Sequence, residues 1–334
     1  MDYSSVLNNR NIMITGGTGS FGHQMIKELM RYKPKTIRIF SRDEDKQHSM
    51  KVELANEPIF NKMEFMIGDV RDYDRLYAVT KDIDIIFHAA ALKQVPTVES
   101  HPYEAVKTNI SGAYNVVKAA VARKVKNVVA VSTDKAVKAV NAMGMTKALQ
   151  EKIILKDDLT KDGTKFCCVR YGNVLGSRGS VIPLWDTQIE KNRPLPITHP
   201  EMTRFFLTLS QAIDLVFYSV KHGKGGEIFV KKAPASKVVN LAKAYAELKT
   251  GKKNYPLEYV GIRAGEKIDE VLVSEEEMRH ADETKDHFVI KPEEDFDISS
   301  IKKSIKTQEY GSGTVKPLSV DELKKLMKKL KWVL

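Results

Sequence analysis

Two cysteines in 334 residues, Cys167 and Cys168, leave no disulfide framework to hold the chain together. They are adjacent, and neighbouring side chains on a strand point to opposite faces, so they read as core thiols and not as a bridge. Long apolar runs are also missing. No stretch approaches the roughly 20 residues that a membrane-spanning helix needs, and the N-terminus lacks a basic-then-apolar export pattern. The expectation is a cytoplasmic protein with no membrane partner, in which the acceptor-like triplet Asn109-Ile110-Ser111 is accidental. No cluster of histidine or cysteine has metal-ligand spacing, so no metal is expected. Internal repeats and low-complexity tracts are lacking as well.

What is present describes a folded chain. Hydrophobic residues make up 42% and charged residues 29%, which excludes a disordered composition. The length suits one large domain or two that share a core. A net charge of +11 is compatible with nucleic acid, an anionic surface or a small polyanion. Much of the lysine excess falls in the final segment, at Lys324, Lys325, Lys328, Lys329 and Lys331, as on a solvated helix face. No nucleic-acid-binding module is visible, so no nucleic-acid partner is expected.

Runs of β-branched and apolar residues at 12–15, 36–40, 65–68, 83–89, 125–133 and 166–171 alternate with helical stretches. Alternation predicts an α/β fold with a doubly wound parallel sheet, and the near-continuous apolar character predicts helices on both faces. After Tyr171 the texture changes to Gly176, Gly179, Pro183, Pro194, Pro196 and Pro200. A boundary near residue 176 is expected, with a dinucleotide-binding domain over 1–176 and a smaller substrate-binding region over 177–334. The segment from about 205 to 232 is expected to return to the first domain. Ser319 and Glu322 have capping-box spacing ahead of Leu323, Leu326, Met327 and Leu330, which predicts a terminal amphipathic helix. It could pack on its own subunit or latch a neighbour. The polar stretch 291–314 reads as an extended arm.

Gly16, Gly19 and Gly22 follow the first apolar strand and precede a helix carrying Met25, Ile26, Leu29 and Met30. In that context glycine permits the tight turn, lets backbone approach a pyrophosphate, and lets the helix pack on the strand, while the helix N-terminus favours the anion. At the end of the second strand, where a carboxylate would hold the ribose hydroxyl of NAD, stand Ser41 and Arg42. A guanidinium pairs with a 2′-phosphate, so NADP is the expected cofactor. Asp43 and Glu44 follow at once and could still reach a ribose. Asp69, before Val70, can accept from an adenine amino group, and Ala89, Ala90 and Ala91 leave room for the cofactor against the sheet.

These residues resemble the extended short-chain dehydrogenase/reductase superfamily and, within it, the UDP-N-acetylglucosamine 4,6-dehydratases. The likeness covers nearly the whole chain. It rests on Thr15 to Gly22, Phe40 to Glu44, His88 to Pro96, Ser132 to Ala136, Arg170 to Val174, Ser177 to Pro183, Met202 to Phe205 and Arg263 to Lys267. One departure stands out. The superfamily places a tyrosine four residues before a lysine, and here Lys147 is preceded at that spacing by Met143, whose thioether cannot exchange a proton. The Met-x-x-x-Lys variant resembles the inverting, capsule-precursor branch that combines 4,6-dehydration with 5-epimerisation.

The resemblance implies that UDP-N-acetylglucosamine is oxidised at C4 by NADP⁺, loses water across C5 and C6, and regains the hydride at C6 and a proton at C5 on the opposite face. The product would be a 4-keto-6-deoxy sugar for surface glycans. It assigns Asp134 as acid, Lys135 as base with a pKa lowered by burial or by Lys147, and Thr133 near the C4 oxygen. Lys147 would hold the nicotinamide ribose. Beyond the residues already named, it adds Thr18, Ser20, Phe21, Lys46, Lys93, Asn109, Ser132, Tyr171, Asn173 and Val174 to the cofactor site. Around the substrate it places Lys93, Asn173, Arg178, Ser180, Val181, Pro183, Thr198, Arg204, Arg263 and Glu266. His88 reads as a core histidine. A homo-oligomer, dimer or hexamer, is implied. Alternatives that stay open are a retaining 4,6-dehydratase, a C4 epimerase of UDP-sugars, and a non-catalytic NADP-binding or nucleic-acid-binding protein.

Overall fold

The computed structural model describes residues 1–156, 163–176, 180–292 and 308–330. Each of the six apolar runs forms a strand: β1 (Asn11–Thr15), β2 (Thr36–Ser41), β3 (Met63–Ile67), β4 (Ile85–His88), β5 (Asn127–Val131) and β6 (Lys165–Arg170). Ten further strands follow among the described residues: β7 (Asn173–Val174), β8 (Leu195–Ile197), β9 (Thr203–Leu207), β10 (Ile228–Lys231), β11 (Ala235–Lys237), β12 (Leu257–Tyr259), β13 (Val271–Val273), β14 (Ala281–Glu283), β15 (His287–Ile290) and β16 (Tyr310–Gly311).

The main sheet has the order β14-β15-β10-β6-β5-β4-β1-β2-β3. Pairing is parallel from β3 to β10, and β15 and β14 add an antiparallel edge. The chain winds outward from β1 through β2 to β3, then crosses back to β4 and winds the other way. Such a reversal opens a crevice at the carboxyl ends of β1 and β4.

Both faces of the sheet are covered, so alternate residues of one strand enter different cores. Met13, Val128, Ala130, Phe166 and Cys168 belong to one core, with Val116 and Val117 of the helix Gly112–Ala122. Ile12, Ile14, Val129, Cys167 and Val169 belong to the other, with Met25 of the helix Ser20–Leu29 and Phe217 of the helix Leu209–His222. The two thiols are buried, unbridged and on opposite faces, as strand geometry requires. This is the Rossmann-like arrangement, and β10 with its preceding helix lies within it.

A third core gathers Trp185, Leu195, Ile197, Phe206 and Tyr245 and sits beside the main sheet. The terminal helix Val320–Lys329 docks on it. Ser319 and Glu322 form the reciprocal capping box, and Leu323 and Met327 are fully buried. Lys324 reaches Glu247 at 2.9 Å on the helix Val238–Thr250 of the same chain, whereas Lys325, Lys328 and Lys329 face solvent. Lys331 and most of the polar arm, 293–307, lie outside the described residues. Leu323→Ala should lower the free energy of unfolding by about 2–5 kcal/mol, read from denaturant titration, because the helix cannot collapse into the space left. An unchanged midpoint would mean that the helix does not contribute to this core.

Candidate active site

A cavity of about 890 Å³ opens at the crevice and is lined from both parts of the chain. Gly16, Gly19, Ser20 and Phe21 line it from the first turn, and Ala89, Ala90 and Ala91 from the end of β4. Gly16 has φ +67°, and a Cβ there would stand 2.9 Å from the backbone N and Cα of Ala90. Only glycine lets the two segments approach so closely. Thr18 is buried in the same turn, and Gly22 packs the helix against Gly17.

His88, at the end of β4, is buried, with Nδ1 2.8 Å from the Thr15 hydroxyl. Burial first, and the charge of Lys147 second, push its pKa down to about 3. The ring is neutral when folded but takes up a proton below about 6.5 when unfolded, so its contribution to stability is lost as pH falls below that value. Between pH 6.5 and 5 this should remove about 2 kcal/mol, a loss that His88→Gln should suppress in denaturant titrations at the two pH values.

The carboxyl end of β5 carries the residues expected to act on substrate. Thr133 caps a short turn over Asp134–Ala136, and its hydroxyl donates to Asp134 Oδ1 at 2.9 Å. Lys135 Nζ donates to the same oxygen at 2.9 Å and lies 3.3 Å from Glu270. Thr133 and Lys135 line the cavity; Asp134 does not, and its side chain is fully buried. Asp134, expected as the acid, thus has its carboxylate turned inward against two donors. The expected pKa of Lys135 is reversed. Burial works to lower it, but the carboxylates of Asp134 and Glu270 outweigh burial and the opposing charge of Arg204. Lys135 rests as an ammonium above the ordinary lysine value.

The helix Ala142–Lys156 lies directly on this turn, since a Cβ at Gly144 would stand 2.2 Å from the Lys135 carbonyl oxygen. Met143 therefore reaches the cavity wall and packs with Leu92, Val95, Val98 and Ala105 in a small apolar cluster. One turn on, Lys147 is buried and donates to the Val131 carbonyl and to Gln150 Oε1, both at 2.6 Å. Burial lowers its pKa to about 8.

Lys93, Tyr171, Asn173, Val174, Ser180, Val181, Pro183, Thr198, Arg204, Arg263 and Glu266 all line the same cavity, so the structure brings most of the sequence-derived set together. Burial lowers the pKa of Lys93. Arg204 directs three hydrogen bonds to the carbonyls of Thr203, Lys267 and Ile268, which leaves it part of its donor set for an anion. Glu266 accepts from the Arg263 backbone and so shapes the loop that presents that guanidinium. Arg178 lies outside the described residues.

Other residues lie away from the cavity. Arg42 pairs with Asp69 at 3.3 Å where β2 and β3 end, and Ser41 is buried beside Gln47. Asp43 caps the helix Glu44–Leu54 and pairs with Lys46 at 2.5 Å, so its carboxylate is engaged by its own helix. Val70 is a core side chain. Asn109, expected in the cofactor site, is fully buried and bonds both backbone groups of Leu92 and the Thr146 hydroxyl, which ties these segments together. Sequence reasoning missed Glu270 and Gln150. The one cue to Glu270 was its place three residues after Lys267, the spacing of the ion pair they form.

Among the described residues, no helix is long and apolar enough to cross a membrane, and no cluster could hold a metal. A family model described as polysaccharide biosynthesis protein matches residues 12–292. The sequence is 45% identical, over 97% of both chains, to UDP-glucose 4-epimerase of Rickettsia akari (strain Hartford), and equally so to that of Rickettsia bellii (strain OSU 85-389). Pen from Bacillus thuringiensis, solved by X-ray methods, is similar with a TM-score of 0.88 and 37% identity over 97% of this chain and 98% of that one. DesIV, a dTDP-glucose 4,6-dehydratase from Streptomyces venezuelae solved with NAD and TYD, shares the fold at a TM-score of 0.70 and 17% identity over 96% of each chain. The chain belongs to the polysaccharide biosynthesis protein family, within the extended short-chain dehydrogenase/reductase superfamily that includes UDP-sugar epimerases and dehydratases.

Proposed function

We propose that the protein oxidises a UDP-hexose at C4 and that its own residues then decide what becomes of the ketone. The observation that carries this is a single cavity in which the glycine turn, Lys147, Thr133 and Lys135 meet Arg204 and Arg263. A nicotinamide dinucleotide fits the crevice: Gly16 forms a cradle that a Cβ would fill, and the buried Ser132 hydroxyl in the wall has no partner within the protein among the described residues. When bound, such a group exchanges hydride with C4. Lys147 is placed to hold its ribose, and the ends of β1 and β4 to hold its pyrophosphate.

The relatives named UDP-glucose 4-epimerase support 4-epimerisation as the first reading. That reaction requires a proton carrier at the C4 oxygen, for which Thr133 is the side chain at the turn. The second reading is 4,6-dehydration of UDP-N-acetylglucosamine with inversion at C5. One observation favours it. Lys135, gripped by two carboxylates at the cavity wall, is a further proton carrier that C4 epimerisation does not require, whereas dehydration needs one for the C5 proton and the departing C6 hydroxyl. Incubation of each UDP-sugar in deuterated water separates the two by NMR. Epimerisation leaves C5 unlabelled and the C6 oxygen in place; dehydration puts deuterium at C5 and removes that oxygen.

For the cofactor we propose NADP. Arg42 stands exposed at the end of β2, and the neighbouring Asp43 carboxylate is already held by Lys46. Arg42→Ala should weaken NADP⁺ binding about 10–100-fold in calorimetric titration, the equivalent of roughly 1.5–3 kcal/mol for hydrogen bonds to a charged group, with NAD⁺ binding little changed. Equal weakening of both would remove the argument for the 2′-phosphate. We further propose that the chain works in the cytoplasm as a homo-oligomer.

A further inference from the structure

Glu270 is a carboxylate that the reaction outlined above does not use, yet it is among the most thoroughly buried charges in the chain, at 2% exposure. It precedes β13, far along the sequence from the turn after β5. Its Oε1 lies 3.3 Å from Lys135 Nζ, and its Oε2 lies 3.1 Å from Lys267 Nζ, at the end of the Arg263–Lys267 loop. The approach to Lys267 is ionic and lacks hydrogen-bond alignment, since Oε2 makes no hydrogen bond among the described residues.

The backbone that carries this carboxylate is anchored on both sides. The Glu270 backbone N–H donates to the Ser312 hydroxyl at 2.9 Å, and its carbonyl accepts from the Ser312 N–H at 2.7 Å. Ser312 is fixed in turn by the Thr203 hydroxyl, which accepts from the Ser312 hydroxyl and gives its own proton to Asp269. The loop is anchored at two more points: Lys267 Nζ donates to the Val137 carbonyl at 2.9 Å, and Asn141 Nδ2 to the Gly265 carbonyl at 2.7 Å. Charges therefore alternate along one line, from the buried Asp134 through the partly exposed Lys135 and the buried Glu270 to the partly exposed Lys267. Burying a carboxylate so completely is costly unless it is paired, and here its two partners are the cavity lysine and the loop lysine.

We propose that Glu270 is a positioning residue for the reaction, holding the Lys135 ammonium at the cavity wall and tying it to the Arg263–Lys267 loop. The inference rests on the reading that Lys135 acts in the reaction. Glu270 is not among the residues lining the cavity, so it acts through Lys135 and not on substrate. The charged groups facing Lys135 are Asp134 from its own turn, Glu270 from the strand edge, and Arg204 from β9. Removing the Glu270 charge leaves one attractive partner against burial and Arg204, so Lys135 loses its proton more readily.

The test measures Lys135 directly and does not depend on which sugar is turned over. The full chain with its dinucleotide is acetylated at pH 8.5 with a trace reagent, and the Lys135 peptide is quantified by mass spectrometry against an exposed lysine. Glu270→Gln should raise the relative rate at Lys135 by tenfold or more, because each unit by which the pKa falls multiplies the neutral amine tenfold. Glu270→Asp keeps the charge and controls for loosened packing; it should stay within a few-fold of the parent. The alkaline limb of the pH–rate profile should move to lower pH in Glu270→Gln alone. An unchanged labelling rate in Glu270→Gln, or equal acceleration in both variants, would overturn the proposal. Faster labelling with an unmoved pH–rate limb would instead sink the reading that Lys135 takes part in turnover.

Discussion

Lys135→Ala is expected to lower turnover about 10²–10⁴-fold, the usual contribution of a positioned proton carrier, while dinucleotide binding is retained. The side-chain partners of the lysine are Asp134 and Glu270 and not the glycine turn, so cofactor affinity measured by calorimetry should hardly change. Lys135→Arg separates two ways in which the residue could act. A guanidinium keeps the charge but does not release its proton, so it would restore turnover if only a cation were needed and would fail if the proton must move. Failure is the expected result, because dehydration needs a group that exchanges a proton and a guanidinium does not. Turnover of the alanine variant close to that of the parent would remove Lys135 from the mechanism.

Arg170→Met is expected to cost about 3–5 kcal/mol of stability, as when one partner of a buried ion pair is removed. Arg170 ends β6 and is almost fully buried. Its guanidinium meets Glu151 at 2.8 and 2.6 Å and Glu277 at 2.8 and 2.7 Å, both as forks. The methionine would leave two carboxylates facing each other without a cation. Glu151 lies one helical turn from Lys147, so the disturbance should also loosen that lysine and weaken dinucleotide binding. Adding Glu151→Met and Glu277→Met should recover much of the lost stability, since an apolar set of similar size often replaces a buried ion network at little cost. Denaturant titration of the single and triple variants checks both statements. A single variant as stable as the parent would show that the network is solvated and weak.

The parts of the fold legible in the sequence were those encoded locally. Strand, glycine turn and helix stand side by side from Asn11 to Leu29, so the dinucleotide cradle could be read from residues that are neighbours in the chain. The same holds for the cap at Ser319 and for the opposed thiols of Cys167 and Cys168. What escaped depends on distant partners. The partners of Asn109 at Leu92 and Thr146 come together only after folding, so its role as a tie is not legible in the sequence. Asp134 and Lys135 are neighbours in sequence, yet the tight turn sends one side chain inward and leaves the other on the cavity wall. The direction of the Lys135 shift was reversed for the same reason. Burial and like charge could be guessed locally, but the shift is set by two carboxylates together, that of the adjacent Asp134 and that of Glu270, which folding brings in from the second half of the chain.

The central claim is that reaction begins with hydride loss from C4 of a UDP-hexose. Its most direct test is to supply UDP-glucose and UDP-N-acetylglucosamine carrying deuterium at C4, with NADP⁺ or NAD⁺, and to locate the label in the products by NMR. The account predicts that the label leaves its original face of C4, returning either to C4 with inverted configuration or to C6 of a 6-deoxy product. Label that stays on C4 with its configuration unchanged, in both sugars and with the dinucleotide shown to be bound, would contradict it.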